Sequence, residues 1–166
     1  MMNDEILRIN GFEIVEDGFD QDKNKYYEGI FTQGNGYFHV RGSFEEGLAD
    51  APQNEVYTRT MKSVTTEQQR HPLSKQGTFL PLMMGKHPFL EEVIINLPYF
   101  MRIEIAAGNE KLDMIRSDIR DYRRVLNMKT GELTRSFTWI TASGEEIDVK
   151  FSRFASLDEK DRKSVV

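Results

Sequence analysis

The chain has 166 residues, with 22 Lys and Arg against 27 Asp and Glu, a formal net charge of -5 and no cysteine. That length suits one domain with a real core, or part of a large all-β domain, since such domains can run to roughly 200–250 residues as one unit. The basic residues are scattered and form no track for neutralising phosphates, which argues against nucleic acid as a partner. The missing cysteines exclude a disulfide framework and any thiolate ligand or nucleophile.

Met1 to Arg8 is acidic and interrupted by charges, unlike the basic start and apolar stretch of a signal peptide. No apolar run approaches bilayer-spanning length, so a cytoplasmic protein with no membrane partner is expected. From Ile9 to Val15 apolar and polar residues mix without a helical stripe, and Asp17 to Lys25 is polar, which predicts a strand followed by a loop. Glu28-Gly29-Ile30-Phe31 leads into Gly34-Asn35-Gly36, read as a tight turn opening a strand from Tyr37 to Arg41, with Gly42 after it. On that strand Phe38 and Val40 share one face, opposite Tyr37, His39 and Arg41.

Residues 43–90 are the least regular, carrying Pro52, Pro72, Pro81 and Pro88 and an apolar patch from Phe79 to Met84. Loops of this length are commonly functional or disordered, and 55–90 is expected to reach toward a further domain or a second subunit. Strands are predicted at Glu92 to Asn96 and, after Leu97-Pro98, at Tyr99 to Ile105, with a turn at Gly108-Asn109.

Ile115, Ile119, Tyr122 and Leu126 have the i, i+4, i+7, i+11 spacing of an amphipathic helix. Yet Arg124, Leu126 and Met128 alternate with Arg123, Val125 and Asn127, and Gly131 suits a left-handed turn residue, which is the pattern of a hairpin over 122–139. A short helix at 115–120 is the helical reading that survives. The next hairpin is clearer. Leu133, Arg135, Phe137 and Trp139 fall on one face, Ser143-Gly144 turns the chain, and Ile147, Val149 and Phe151 alternate with Asp148, Lys150 and Ser152. Arg153 to Leu157 continues that strand, and Asp158 to Arg162 forms a charged tail. Trp139, in phase with Phe137 and Leu133, belongs in the core, whereas Tyr57, Tyr99 and Phe100 are better placed beside a groove.

The adjacent pairs Glu45-Glu46, Glu91-Glu92 and Glu145-Glu146 invite a glycosidase reading, because an acid and a base must flank a scissile bond. Neighbouring strand residues point to opposite faces, so these pairs are expected to be solvated surface charges and no catalytic residue is assigned. His39, His71 and His87 lie far apart and suggest no metal site. Gly34-Asn35-Gly36 opens a strand of Tyr, Phe and Val rather than a helix, which favours a turn over a phosphate cradle. Arg41 and Arg135 are expected to anchor hairpins through directed bonds to carboxylates or carbonyls.

Several pieces occur in a telling order: Glu28-Gly29-Ile30-Phe31, Gly34-Asn35-Gly36-Tyr37, Arg41-Gly42 with Glu45-Glu46, Gly77-Thr78-Phe79, Asn96-Leu97-Pro98, Tyr122-Arg123-Arg124 with Gly131, Arg135-Ser136-Phe137, and Arg153 to Leu157. This series resembles the N-terminal domain of glycoside hydrolase family 65, mainly phosphorylases of α-linked glucose disaccharides such as maltose, kojibiose and trehalose. Departures from the family pattern are Phe38 and His39 for Leu and Gly, Asn127 for Asp, and Tyr99-Phe100 for Asn-Trp.

The resemblance implies an all-β fold, an antiparallel super-sandwich of the galactose-mutarotase-like kind spanning 1–166, incomplete at Val166 and with at most short helices. It also favours the hairpin over 122–139. It implies that the catalytic carboxylate lies in a helical barrel outside these residues, that the chain's own catalytic domain is its partner, and that no cofactor is needed beyond inorganic phosphate as co-substrate. A homo-oligomer is expected, because an incomplete sandwich leaves strand edges open. The alternatives are a stand-alone sandwich binding carbohydrate or protein, and the front domain of a hydrolase of the same family.

Overall fold

A computed structural model of the protein describes residues 6–47, 77–86, 92–97, 100–158 and 163–165. The described chain is antiparallel throughout, with one short helix. Strands β1 (Leu7–Asn10) and β2 (Glu13–Asp17) form a hairpin and α1 (Asn24–Ile30) follows. The short strands β3 (Gln33–Gly34) and β4 (His39–Val40) precede β5 (Thr78–Gly85) and β6 (Val93–Asn96). After β7 (Ala106–Ala107) and β8 (Glu110–Lys111) come β9 (Asp118–Asn127), β10 (Glu132–Ile140), β11 (Glu146–Ala155) and β12 (Lys163–Val165).

The main sheet has six strands in the order β1-β2-β9-β10-β11-β12, a second has β3-β4-β5-β6, and β7-β8 forms a small ribbon. The period-2 pattern read from 133–153 is what orders the main sheet. Leu133, Arg135, Phe137 and Trp139 are all buried while their neighbours on β10 are half-exposed, and Val149, Phe151 and Arg153 are buried on β11. Pairing Phe137 with Val149 and Arg135 with Phe151 puts these side chains on one face. Against that face pack Phe44, Leu112 and Met114, with Phe19, Ile103 and Ile105 at the margin. Trp139 is fully buried there, as its phase with Phe137 requires.

The ambiguous spacing at 115–126 has a physical explanation. Arg123 pairs with Ser136 and Arg120 with Thr138, so β9 carries one residue more than β10 across this interval. Asp121, at φ 52°, takes up the extra residue as a β-bulge. The bulge turns both Ile119 and Tyr122 toward the core although they are three apart, which mimics helical spacing in an extended strand. Residues 114–117 form a turn and bend rather than the short helix read at 115–120.

Other expectations are corrected. The stretch read as a loop at 17–25 and a lead-in at 28–31 contains α1. Its buried face is Asn24, Tyr27 and Glu28, with Phe31 one turn beyond, and Tyr27 and Phe31 pack against Leu133. The apolar patch in the irregular stretch is strand β5. No strand forms at 100–105, where a turn at Phe100 and Met101 leads into irregular backbone, and Tyr99 lies outside the described residues. The strand read over 37–41 shortens to His39–Val40. Tyr57, His71 and His87 lie outside the described residues, and Phe100 is exposed. Apart from 77–86, the stretch 55–90 lies outside them as well.

Candidate functional site

Among the described residues a concentration of buried charge lies in the core, where residues 41–46 leave β4 and run across the inner face of the main sheet as a strap. Strand alternation places Arg124 on β9, Arg135 on β10 and Arg153 on β11 on that inner face. Arg124 pairs directly with Arg135 across the ladder. Three cations on an apolar sheet face need counter-charges, since an unpaired buried charge costs several kcal/mol.

The strap supplies most of them. Arg135 donates through Nη1 to Glu46 Oε1 at 2.7 Å and through Nη2 to Glu45 Oε2 at 2.9 Å, with a second contact from Nη2 to Glu46 Oε2. Arg153 Nη1 lies 3.1 Å from Glu45 Oε1 and donates to the Ser43 carbonyl at 3.0 Å, while its Nη2 donates to the Arg41 carbonyl at 3.2 Å. Arg124 binds Glu16 of β2 through Nε at 2.6 Å and reaches the Gly42 carbonyl at 2.7 Å. None of these six charged side chains is more than 4% exposed.

Aromatic rings fill the gaps between the cations. The Arg124 guanidinium lies 4.4 Å from the Phe31 ring centroid and 5.3 Å from that of Phe44. Arg135 lies 4.3 Å from Phe44 and 4.6 Å from Phe151, so Phe31, Arg124, Phe44, Arg135 and Phe151 form a continuous ring-and-cation stack. Each desolvated contact of this kind contributes up to about 2 kcal/mol. Gly42 permits the close approach of the strap to the helix end. Its amide donates to the Glu28 carbonyl at 2.8 Å, and a Cβ there would sit 2.5 Å from the Phe31 Cβ.

Glu45-Glu46 therefore is not the solvated surface pair expected. Alternation applies to strands, and the strap is not one, so the two neighbouring carboxylates converge on one guanidinium. A general acid must exchange its proton with a bound substrate, whereas these carboxylates are fixed by ion pairs. The space beneath the strap, lined by Ser43, Glu45, Arg135 and Arg153 among others, has room for about one water molecule and none for a sugar ring. No group of three or more His, Asp or Glu among the described residues is disposed to hold a metal.

The other motif residues divide between this lattice and its surroundings. Tyr122 packs in the core beside Glu16, and burial raises its phenol pKa. Arg41 donates to the Lys25 carbonyl at 2.9 Å and lies 3.9 Å from Glu28. Gly34, Asn35, Gly36 and Tyr37 form the β3–β4 turn, in which the Asn35 amide donates to the Ser156 carbonyl at 2.7 Å and Oδ1 accepts the amides of Tyr37 and Phe38 at 3.1 Å each. Gly131, at φ 72°, turns β9 into β10, and its carbonyl accepts from Gln33 Nε2 at 2.6 Å. Asn96 pairs with Phe79 in the second sheet, and Pro98 lies outside the described residues. Glu16, Phe44 and Gln33 were not anticipated. The available signal was the phase of Arg135 and Arg153 with Leu133, Phe137 and Phe151, which requires buried partners.

Electrostatics inside the lattice are uneven. Burial pulls the Arg135 pKa down, but Glu46 and Glu45 outweigh it and the net shift is upward. For Glu16 burial is the largest influence and raises its pKa above the usual carboxylate value, with Arg124 opposing. The folded state then holds the Glu16 proton at higher pH than the unfolded state. Between the unfolded pKa and the raised folded one, fewer protons are bound in the unfolded state, so this group's contribution to stability falls as pH rises through the window. Glu16→Gln should remove that slope. Urea melts at neutral pH and just above the ordinary carboxylate range should show wild type gaining more stability on acidification than the variant, and identical pH responses would refute the shift.

The family described as "Glycosyl hydrolase family 65, N-terminal domain" matches residues 14–163. The chain is 29% identical over 93% of its length to an alpha,alpha-trehalose phosphorylase of Thermoanaerobacter brockii, covering 19% of that protein. It is 28% identical over 97% of its length to the maltose phosphorylase of Bacillus subtilis, covering 20% of it. A kojibiose phosphorylase of Caldanaerobacter subterraneus is 24% identical over 92% of the chain. The chain thus spans about a fifth of the length of the curated relatives it matches. A solved structure described as a putative kojibiose phosphorylase from the human microbiome shares the fold, with a TM-score of 0.70 at 24% identity, covering 95% of this chain and 19% of that one.

Proposed function

Because the chain belongs to the glycosyl hydrolase family 65 N-terminal domain family, we propose that it serves as the non-catalytic front domain of a cytoplasmic α-glucoside phosphorylase. In that reading the full-length protein carries out inverting phosphorolysis of an α-linked glucose disaccharide. A carboxylic acid in a separate catalytic domain protonates the glycosidic oxygen while inorganic phosphate attacks the anomeric carbon, giving β-glucose 1-phosphate. The domain's partner is that catalytic domain, and the assembly is a homo-oligomer. The motif residues that carry the family resemblance hold the fold.

The observation that carries this reading is the fate of Glu45 and Glu46. Among the described residues these two carboxylates converge on one guanidinium, and arginines bind both beneath a strap that no sugar can enter. Exposed apolar side chains at Ile9, Phe12, Met84 and Ile94 support association with another surface.

The 166-residue chain should give no glucose or glucose 1-phosphate above a protein-free blank when incubated with maltose, kojibiose, nigerose or trehalose plus phosphate. The same assay on the product of the complete reading frame should give glucose 1-phosphate from at least one of them. Phosphorolysis by the chain alone would overturn the non-catalytic assignment. Absence of phosphorolysis from the complete protein would overturn the phosphorylase assignment.

A further inference from the structure

The sequence contains two Asn-Gly pairs, Asn10-Gly11 and Asn35-Gly36, and the fold treats them in opposite ways. An asparagine followed by glycine is the pair most open to intramolecular attack, because no side chain shields the following amide nitrogen. Asn35 has both ends of its amide engaged: Nδ2 donates to the Ser156 carbonyl at 2.7 Å, and Oδ1 holds the Tyr37 and Phe38 amides. Asn10 is exposed and closes the β1–β2 hairpin opposite Glu13. Its side chain makes no hydrogen bond among the described residues. Gly11 stands at φ 60° at the hairpin tip, with nothing within 4 Å of where a Cβ would be.

We propose that Asn10 is a site of spontaneous deamidation in the folded protein and that Asn35 is protected. In the reaction, hydroxide removes the Gly11 amide proton and the nitrogen attacks Asn10 Cγ, forming a new N–Cγ bond. The Cγ–Nδ2 bond breaks, and the nitrogen leaves as ammonia after taking a proton from water. A second water opens the resulting succinimide at one of its two carbonyls, leaving aspartate or isoaspartate at position 10. The net change is one water consumed and one ammonia released. At Asn35 the same path first requires the amide to leave Ser156 and the two backbone amides to give up Oδ1.

The product matters to the fold. A new carboxylate sits across the ladder from Glu13, and like charges directly opposite each other destabilise a strand pair. Isoaspartate also adds a methylene to the backbone at a two-residue turn whose length sets the hairpin register. Strand β1 brings Leu7 to the cluster around Tyr27 and Phe31, so its loosening uncovers one end of the core.

Trypsin cuts after Arg8, Lys23, Lys25 and Arg41, which puts the two pairs in separate peptides, 9–23 and 26–41. Mass spectrometry of the intact protein aged at mildly alkaline pH should show amide-to-acid conversion in the first peptide at least about tenfold faster than in the second, the rate factor for ~1.4 kcal/mol of barrier. Ageing in denaturing urea should bring the two rates together. Comparable rates in the folded protein, faster conversion at Asn35, or no conversion at Asn10 while the urea sample reacts would each overturn the proposal. A difference that persists in urea would do so too, because it would then be a property of local sequence and not of the fold.

Discussion

Arg135→Met should be the most damaging single charge removal in the chain, lowering stability by about 3–5 kcal/mol because it leaves buried carboxylates without their partner. Among the described residues Glu46 then loses the cation that pairs with it, while Glu45 keeps Arg153. For a chain of this size each kcal/mol shifts the melting temperature by roughly 2–4 °C, so the melt should fall by roughly 6–20 °C. Lysine should give an intermediate loss, since a single ammonium cannot reproduce the planar fork that binds two carboxylates at once. Combining Arg135→Met with Glu46→Gln should recover part of the loss, and a double-mutant cycle from urea melts measures the coupling. A loss below about 1 kcal/mol for Arg135→Met would show that solvent screens the pair, as at an exposed ion pair.

Phe44→Ala is the second. Phe44 is the strap's own ring, 2% exposed, inserted between Arg124 and Arg135 and in contact with Phe19 and Tyr122 at centroid distances of 5.6 and 6.2 Å. Truncating a buried Phe to Ala costs about 3–5 kcal/mol. Phe44→Leu separates two contributions, because leucine restores most of the apolar volume and none of the ring's attraction for a cation. The leucine variant should stay roughly 1–2 kcal/mol below wild type, the size of the cation–π contribution at a desolvated site. Chemical denaturation of the three proteins checks this, and a leucine variant as stable as wild type would reduce the stack to ordinary packing.

How much of this was legible depended on whether a residue's role is local. The β10–β11 hairpin was legible because alternation is enforced residue by residue: Leu133, Phe137 and Trp139 can only share a face. Helix α1 was obscured because two positions on its buried face are Asn24 and Glu28, which read as solvated in sequence and are satisfied only by neighbours in the fold. The hairpin over 122–139 was legible, but the bulge at Asp121 concealed the start of its first strand at 118–121 by shifting the phase of one residue. The clearest failure was Glu45-Glu46. Its environment is set by Arg135, 90 residues on from Glu45, and by the still more distant Arg153, and no periodicity in the strap reports such partners.

The strap also ties the order of assembly to the order of synthesis. Its hydrogen bonds reach forward 82 residues to Arg124, 89 to Arg135 and 110 to Arg153. Contacts that close loops of this size form late, because chain entropy is lost before any of them contributes. A ribosome releases the N-terminal part first, so Glu45 and Glu46 leave it as hydrated anions and stay so until β10 and β11 have been made. Only then does transferring them into the core become favourable. The strap therefore acquires its final packing only after the β10–β11 hairpin exists, and an interruption of synthesis before β10 leaves Glu45 and Glu46 in water.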